Sequence, residues 1–287
     1  MRQLAAWVSV LSVTSFALFW WLTIPGSETP APGTVASANA KNGEQVFWAS
    51  GCASCHAADG AAGDDKLRLG GGHRLKTPFG TFVAPNISPD PDTGMGDWTL
   101  AEFTNAMRQG VSPQGEHYYP AFPYAAYAAI TDDDLRDLYA FLQTLPSVSR
   151  PNEPHDLALA FQWRRPIGVW KKLFAAYQPV LELEDENALL VRGQYLVETL
   201  GHCGECHTPR NTLGGLQTDL WLSGGPAPTG KGRIPNITPH ETGIASWSAA
   251  DLVYYLESGF TPDFDSVGGT MTLVPQNMAR LPKEDLE

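Results

Sequence analysis

The longest apolar run opens the chain. Residues 4–24 (LAAWVSVLSVTSFALFWWLTI) hold no charged side chain. As a helix rising 1.5 Å per residue they reach roughly 30 Å, one hydrocarbon core. Arg2 precedes the run and no Lys or Arg follows until Lys41, an asymmetry that predicts a membrane helix at 1–24 with the rest of the chain outside the cytoplasm. Trp20 and Trp21 stand where an outer aromatic belt belongs. A cleaved signal peptide is the competing reading, but the best small-residue site, Ala38-Asn39-Ala40, begins about fourteen residues beyond Ile24, too far for ordinary cleavage. Residues 25–40 show no apolar period and predict a flexible tether. From residue 41 onward, short helical patterns alternate with long Gly- and Pro-rich loops.

That alternation repeats. Pro85-Asn86-Ile87-Ser88-Pro89 recurs as Pro235-Asn236-Ile237-Thr238-Pro239. Each is followed by a Thr-Gly, a Trp (Trp98, Trp247) and a helical run, and Gly110 and Gly259 each fall 12 residues after their Trp. The expected fold is all-α: two tandem domains, 41–146 and 188–287, joined by a connector, 147–187. Each domain should read helix, motif, long loop, helix, ligand loop, helix. The first closes with a helical run at 132–145. The second stops at 287, about where its matching helix would begin, so a C-terminal helix is expected to be missing and the second domain to be the less stable.

The chain has 287 residues, with 19 Lys+Arg against 31 Asp+Glu, a formal net charge of −12. This argues against nucleic acid as a partner, since such recognition wants a basic face. The 4 cysteines fall in Cys52-Ala-Ser-Cys55-His56 and Cys203-Gly-Glu-Cys206-His207. C-x-x-C-H is the attachment pattern for c-type haem. Two thiols on one turn can each add to a haem vinyl group, and the next residue presents an imidazole to the iron. A zinc ribbon or a redox dithiol would use Cys pairs without needing the histidines. The motifs therefore predict two covalent haem c groups, with His56 and His207 as proximal iron ligands. Asn86 and Asn236 are expected at the haem edge, near the propionates.

The distal side differs between the copies. Met271, 24 residues after Trp247, is the candidate sixth ligand of haem 2, and Met278 reads as core. The equivalent residue in copy one is Phe122, which cannot ligate iron. His117, Met107, Met95 and His73 remain there. Met107 and Met95 read as core and His73 as surface or propionate-linked, which leaves His117 as the candidate without settling the choice between a His ligand and a five-coordinate iron.

The connector contains FQWRRPIGVWKKLF, with Arg164, Arg165, Lys171 and Lys172 between Trp163, Trp170 and Phe174. Its aromatics are expected to pack between the domains, and a contact with a membrane surface or an acidic partner is the alternative. The acidic run at 182–186 reads as solvated.

The stretches GCASCHA, LKTPFGTFVAPNISPDPDTGMGDWT, GVSPQGEHYYPAFPY, GHCGECHTPRNTLGG and PNITPHETGIASWS resemble the dihaem cytochrome c family. This family provides the periplasmic cytochrome subunits of membrane-associated alcohol, sorbitol and gluconate dehydrogenases and of molybdenum hydroxylases. The resemblance implies a single-pass protein of the cytoplasmic membrane whose haem domains face the periplasm. Such a protein passes electrons from a partner dehydrogenase to a terminal oxidase or a soluble carrier, and no side chain performs substrate chemistry. Family members often have Met where Phe122 stands, or eight residues later, where this chain has Ile130. A catalytic dihaem protein acting on peroxide or a sulfur compound at an open haem 1 is the alternative. The alcohol dehydrogenase subunits commonly carry three haems and this chain has two motifs, so their quinone chemistry does not transfer directly.

Overall fold

The computed structural model describes residues 1–28, 37–176, 178–183, 187–227 and 232–287. Part of the tether and residues 184–186 of the acidic run lie outside them. Helix α1 (Arg2–Leu22) follows the apolar run and buries none of its side chains against the rest of the protein. The remainder is mainly helical.

In the first half, α2 (Ala40–Ala49) crosses α6 (Asp132–Leu142). Both starts are capped by side chains, Asn39 accepting from Lys41 N and Thr131 from Asp134 N. Three aspartates in the first turn of α6 complement its dipole. The crossing is close because Gly43 faces α6: a Cβ there would lie 2.0 Å from the Asp137 carbonyl oxygen. Around it Val46, Phe47 and Trp48 pack with Leu135, Leu138, Phe141 and Leu142. Between these helices in sequence come α3 (Cys52–His56), the hairpin β1 (Arg74–Thr77) and β2 (Gly80–Val83), α4 (Leu100–Thr104) running into a π turn at Asn105–Gln109, and α5 (Tyr124–Tyr127). The hairpin pairs Arg74 with Val83, and β3 (Asp156–Leu157) from the connector adds to its free edge. The chain is therefore not strictly all-α. The short strands escaped the helical reading because turn formers interrupt every apolar run.

After α7 (Ile167–Phe174) in the connector, the second half repeats the order: α8 (Ala188–Gln194) continuing as a π turn at Tyr195–Leu200, α9 (Gly204–His207), a two-residue ladder of β4 (Gly225–Pro226) with β5 (Arg233–Ile234), α10 (Ala249–Ser258), α11 (Leu273–Met278) and α12 (Lys283–Leu286). The capping boxes repeat as well: Thr99 with Glu102, and Ser248 with Asp251. Gly193 stands 10 residues before Cys203, whereas Gly43 stands 9 before Cys52. The π turn absorbs the extra residue.

The halves share a core, since Leu200 and Leu281 join the cluster built on α2 and α6. Arg280 lies over Trp48 at 5.3 Å, Asn277 Nδ2 donates to Ser54 Oγ at 2.8 Å, and Tyr195 hydroxyl donates to Asp134 Oδ2 at 2.7 Å. In the connector, Trp170 Nε1 donates to the Leu213 carbonyl at 2.9 Å and Phe174 lies against Gly215, so these aromatics do pack between the halves.

Two segments depart from expectation. Thr23, at the end of α1, is fully buried. Its carbonyl accepts from His117 Nε2 (3.0 Å) and its hydroxyl from Arg165 Nε (2.9 Å). Arg165 also donates to the Trp20 carbonyl at 2.6 Å and stacks on the Trp20 ring. Beyond it, Glu28 is bonded through its backbone to Asn105 and through its carboxylate to Arg108 and Gln109. The first part of the tether is thus docked, because a helix end with open carbonyls meets cations and an imidazole.

Candidate haem sites

Each Cys-X-X-Cys-His motif forms one helical turn, so both thiols and the imidazole leave the same short element. None of the four cysteines is in a disulfide. Burial pushes Cys52 up to about 12 and Cys203 up to about 11, and raises Cys55 and Cys206, so none is activated as a thiolate. Among the described residues no three of His, Cys, Asp and Glu gather as a metal cluster.

The histidines are fixed from behind. His56 Nδ1 lies 2.8 Å from the Pro85 carbonyl oxygen and His207 Nδ1 lies 2.9 Å from that of Pro235. A carbonyl only accepts, so each Nδ1 carries the proton and each Nε2 keeps its lone pair. Burial lowers the pKa of both imidazoles and holds them neutral. A neutral ring with an oriented, unprotonated Nε2 is the form that binds iron.

The loops that supply those carbonyls are built alike. Gly71 N donates to His56 O and Gly224 N to His207 O, while Ile87 N and Ile237 N close onto Leu69 O and Leu222 O. Gly71 and Gly224 both have positive φ, and a Cβ on either would fall within 2.5 Å of the returning strand of loop. The two asparagines do not reach outward. Asn86 accepts from Ser88 N (2.9 Å) and donates to Thr93 Oγ1 (3.0 Å) and Val148 O (2.6 Å). Asn236 accepts from Thr238 N (2.8 Å) and donates to Thr242 Oγ1 (3.0 Å). Both side chains shape the loop, and the prolyl carbonyl before each is the group that meets the histidine. A backbone acceptor leaves no side-chain trace in a sequence, and only the repeated Pro-Asn-Ile pattern pointed near it.

The two motifs lie near each other. Cys55 is raised first by burial and then by the proximity of Cys206. Tyr127 stands between them, its ring 5.5 Å from His202 and edge-on to it. His202 precedes Cys203 and adopts a positive φ of 38°. The six-membered ring of Trp221 lies against Gly204, and its indole N–H is buried without a protein partner.

On the distal side of the first half, Phe122 is part-buried with its ring against Tyr118, Tyr124 and Tyr127. Met95, Met107 and Ile130 lie in the core, and His73 pairs with Asp59 at 2.6 Å. His117 is seated toward the end of α1: Nε2 faces Thr23 O, and Nδ1 is buried without a partner. In the second half Met271 lies in a 3-10 turn (Gly269–Thr272), part-buried, at the position of Phe122 in the repeat, and Met278 packs on the shared core.

A helical scaffold that twice presents a thiol pair and a neutral, back-bonded imidazole on one turn defines a c-type haem carrier. The Cytochrome c family model matches residues 40–146. The chain is 51% identical to the "Diheme cytochrome c-type" protein of Cereibacter sphaeroides over 99% of this chain and 94% of that one. It is 34% identical to the "Fructose dehydrogenase cytochrome subunit" of Gluconobacter japonicus over 97% of this chain, and 34% identical to the "Gluconate 2-dehydrogenase cytochrome c subunit" of Pantoea cypripedii over 86%. It spans 57% of the length of each of these two. The chain belongs to the dihaem c-type cytochromes, and its cofactor is covalently bound haem c.

Proposed function

We propose that this protein is a membrane-anchored electron carrier of two tandem cytochrome c domains, 41–146 and 188–287, that receives electrons from a partner dehydrogenase and delivers them to the respiratory chain through a terminal oxidase or soluble carrier. The observation that carries it is the duplicated His–Pro carbonyl arrangement in two motifs linked through Tyr127, which bonds Ser50 and meets His202. Haem, once bound, supplies one-electron chemistry. Cys52 and Cys55 would hold the first group, Cys203 and Cys206 the second. His56 and His207 would present Nε2 to iron, with Pro85 and Pro235 fixing ring orientation and tautomer. Met271 would take the distal place of the second iron. At the first, Phe122 and its aromatic neighbours would cover the face that Met271 serves in the second.

The dehydrogenase partner is proposed from the names of the relatives, which are cytochrome subunits of fructose and gluconate dehydrogenases. Helix α1 is read as a retained anchor, placing the haem domains on the periplasmic side of the cytoplasmic membrane. Burial of Thr23 and its bonds to His117 and Arg165 support retention, since removal of α1 would strip partners from both. The net charge of −12 suits steered encounters with basic carriers, at rates that fall with salt.

The test is purification of the full-length holoprotein from detergent-extracted native membranes. The expected result is a co-purifying dehydrogenase whose substrate reduces both haems. Recovery of the chain alone from salt-washed membranes, with haems that no membrane dehydrogenase reduces, overturns the reading.

A further inference from the structure

The apolar surface of the connector gathers at one place, the outer end of α1. Trp163 packs on Phe19 at 5.6 Å between ring centroids, and Arg165 is bonded to Trp20 and Thr23. Phe161 contacts Phe79, at the turn of the β1–β2 hairpin, edge to face at 5.1 Å. Yet these side chains are not buried. Leu159 is 85% exposed and Trp163 55%, and Phe161 and Phe79 are exposed too. On α7, Val169 and Leu173 are exposed too, while Gly168 lies against Thr23 at the end of α1. Large exposed apolar side chains in one contiguous stretch mark an interaction surface. Arg164, Arg165 and Lys172 lie among them, in a chain that is otherwise strongly acidic.

We propose that residues 159–163, Phe79 and the exposed Val169 and Leu173 of α7 form a collar that sits in the headgroup layer of the same bilayer that α1 crosses. The inference rests on the anchor reading and adds to it that the haem domains are mounted on the membrane at a fixed tilt. Three features select lipid over a protein partner. The collar is continuous with the membrane helix through the Trp163–Phe19 contact, which sets it at interfacial depth. Its composition, Trp and Phe interleaved with Arg and Lys, is that of interfacial segments whose rings sit at headgroup level while the cations meet anionic lipid. The bonds from Arg165 to Thr23 and Trp20 tie the collar to the outer end of α1.

The experiment uses the full-length holoprotein in phosphatidylcholine/phosphatidylglycerol vesicles containing a small fraction of phospholipid with an acyl-chain diazirine near the glycerol. After photolysis, modified residues are mapped by mass spectrometry, with Phe264, 90% exposed and remote in sequence, as the solvent control. The expected result is labelling of α1 and, several-fold above Phe264, of 159–163. A Leu159→Glu/Trp163→Glu variant should lose the connector label while keeping the α1 label and the haem spectrum. Label confined to α1 overturns the collar and leaves the anchor standing. Absence of label from α1 overturns the anchor reading itself. Equal labelling of Phe264 overturns the collar.

Discussion

The hydroxyl of Tyr127 donates to the carbonyl oxygen of Ser50 across 2.8 Å. Ser50 lies two residues before Cys52, and the Tyr127 ring meets His202, one residue before Cys203. A single buried side chain therefore links the backbone leading into one motif to the imidazole that precedes the other, and burial raises its phenol well above the usual range, so it stays a neutral donor. Tyr127→Phe should cost about 1 kcal/mol of stability, the net worth of one buried hydrogen bond, with little change in spectrum. Tyr127→Ala should cost about 3–5 kcal/mol through the cavity it opens and change the separation of the two midpoint potentials. Denaturant titration and spectroelectrochemistry check both. Unchanged potentials in a folded Tyr127→Ala variant would show that the ring does not set the relation between the haems.

Phe122 and Met271 occupy the same place in the two halves, and Met ligation raises a haem potential. Met271→Ala should lower one of the two potentials, leave the other, and abolish the near-infrared magnetic circular dichroism band that reports a thioether ligand. Phe122→Met should add such a band for the first haem and raise its potential. If Met271→Ala retains the band, Met271 is not the ligand.

Gly43 and Gly193 give a contrast. Gly43 fits against α6, and Gly43→Ala would drive a methyl group into the Asp137 carbonyl and within 2.8 Å of Phe141 Cβ. A loss of at least about 1–3 kcal/mol is expected. Gly193 has the same place in α8, but nothing lies within 4 Å of a Cβ built there. Gly193→Ala should stabilise by up to about 1 kcal/mol through helix propensity alone. Thermal or urea unfolding of the two variants decides it, and equal losses would contradict the difference in packing.

How far the sequence reached follows from where the chemistry sits. Cys52, Cys55, His56 and their repeat were legible because the spacing is the chemistry. Helices α6 and α10 were legible as helical runs, the first at 132–145 and the second after Trp247. Pro85 and Pro235 were not, because their contribution is a backbone carbonyl delivered by a loop. The β1–β2 hairpin was missed because its strands are four residues each. His117 attracted a ligand role from its place in the distal loop. Its seat against Thr23 depends on a contact across 94 residues that no local pattern announces. The tether looked flexible because Glu28 offers no periodic signal, yet it pairs with Asn105, Arg108 and Gln109 on the π turn.

Lys171 is the most strongly perturbed cation of the connector. Its Nζ donates to the carbonyls of Gln109 (2.6 Å) and Gly110 (2.7 Å), the open end of the α4 helix, and lies 4.6 Å from the centre of the Tyr124 ring. These contacts favour a donor, but burial dominates and lowers its pKa to about 7, from about 10.4 in an unfolded chain. Below pH 7 both states hold the proton and the full cost of burying the charge is present. Between pH 7 and about 10.4 the folded chain holds fewer protons than the unfolded one, so this lysine makes stability rise with pH. Lys171→Met removes the titration and leaves all other groups in place. The stability of the native protein relative to the variant should therefore improve steadily from pH 7 to pH 10, measured as paired urea midpoints at each pH. A constant difference over that range would mean that Lys171 keeps an ordinary pKa and that its carbonyl partners fully offset burial.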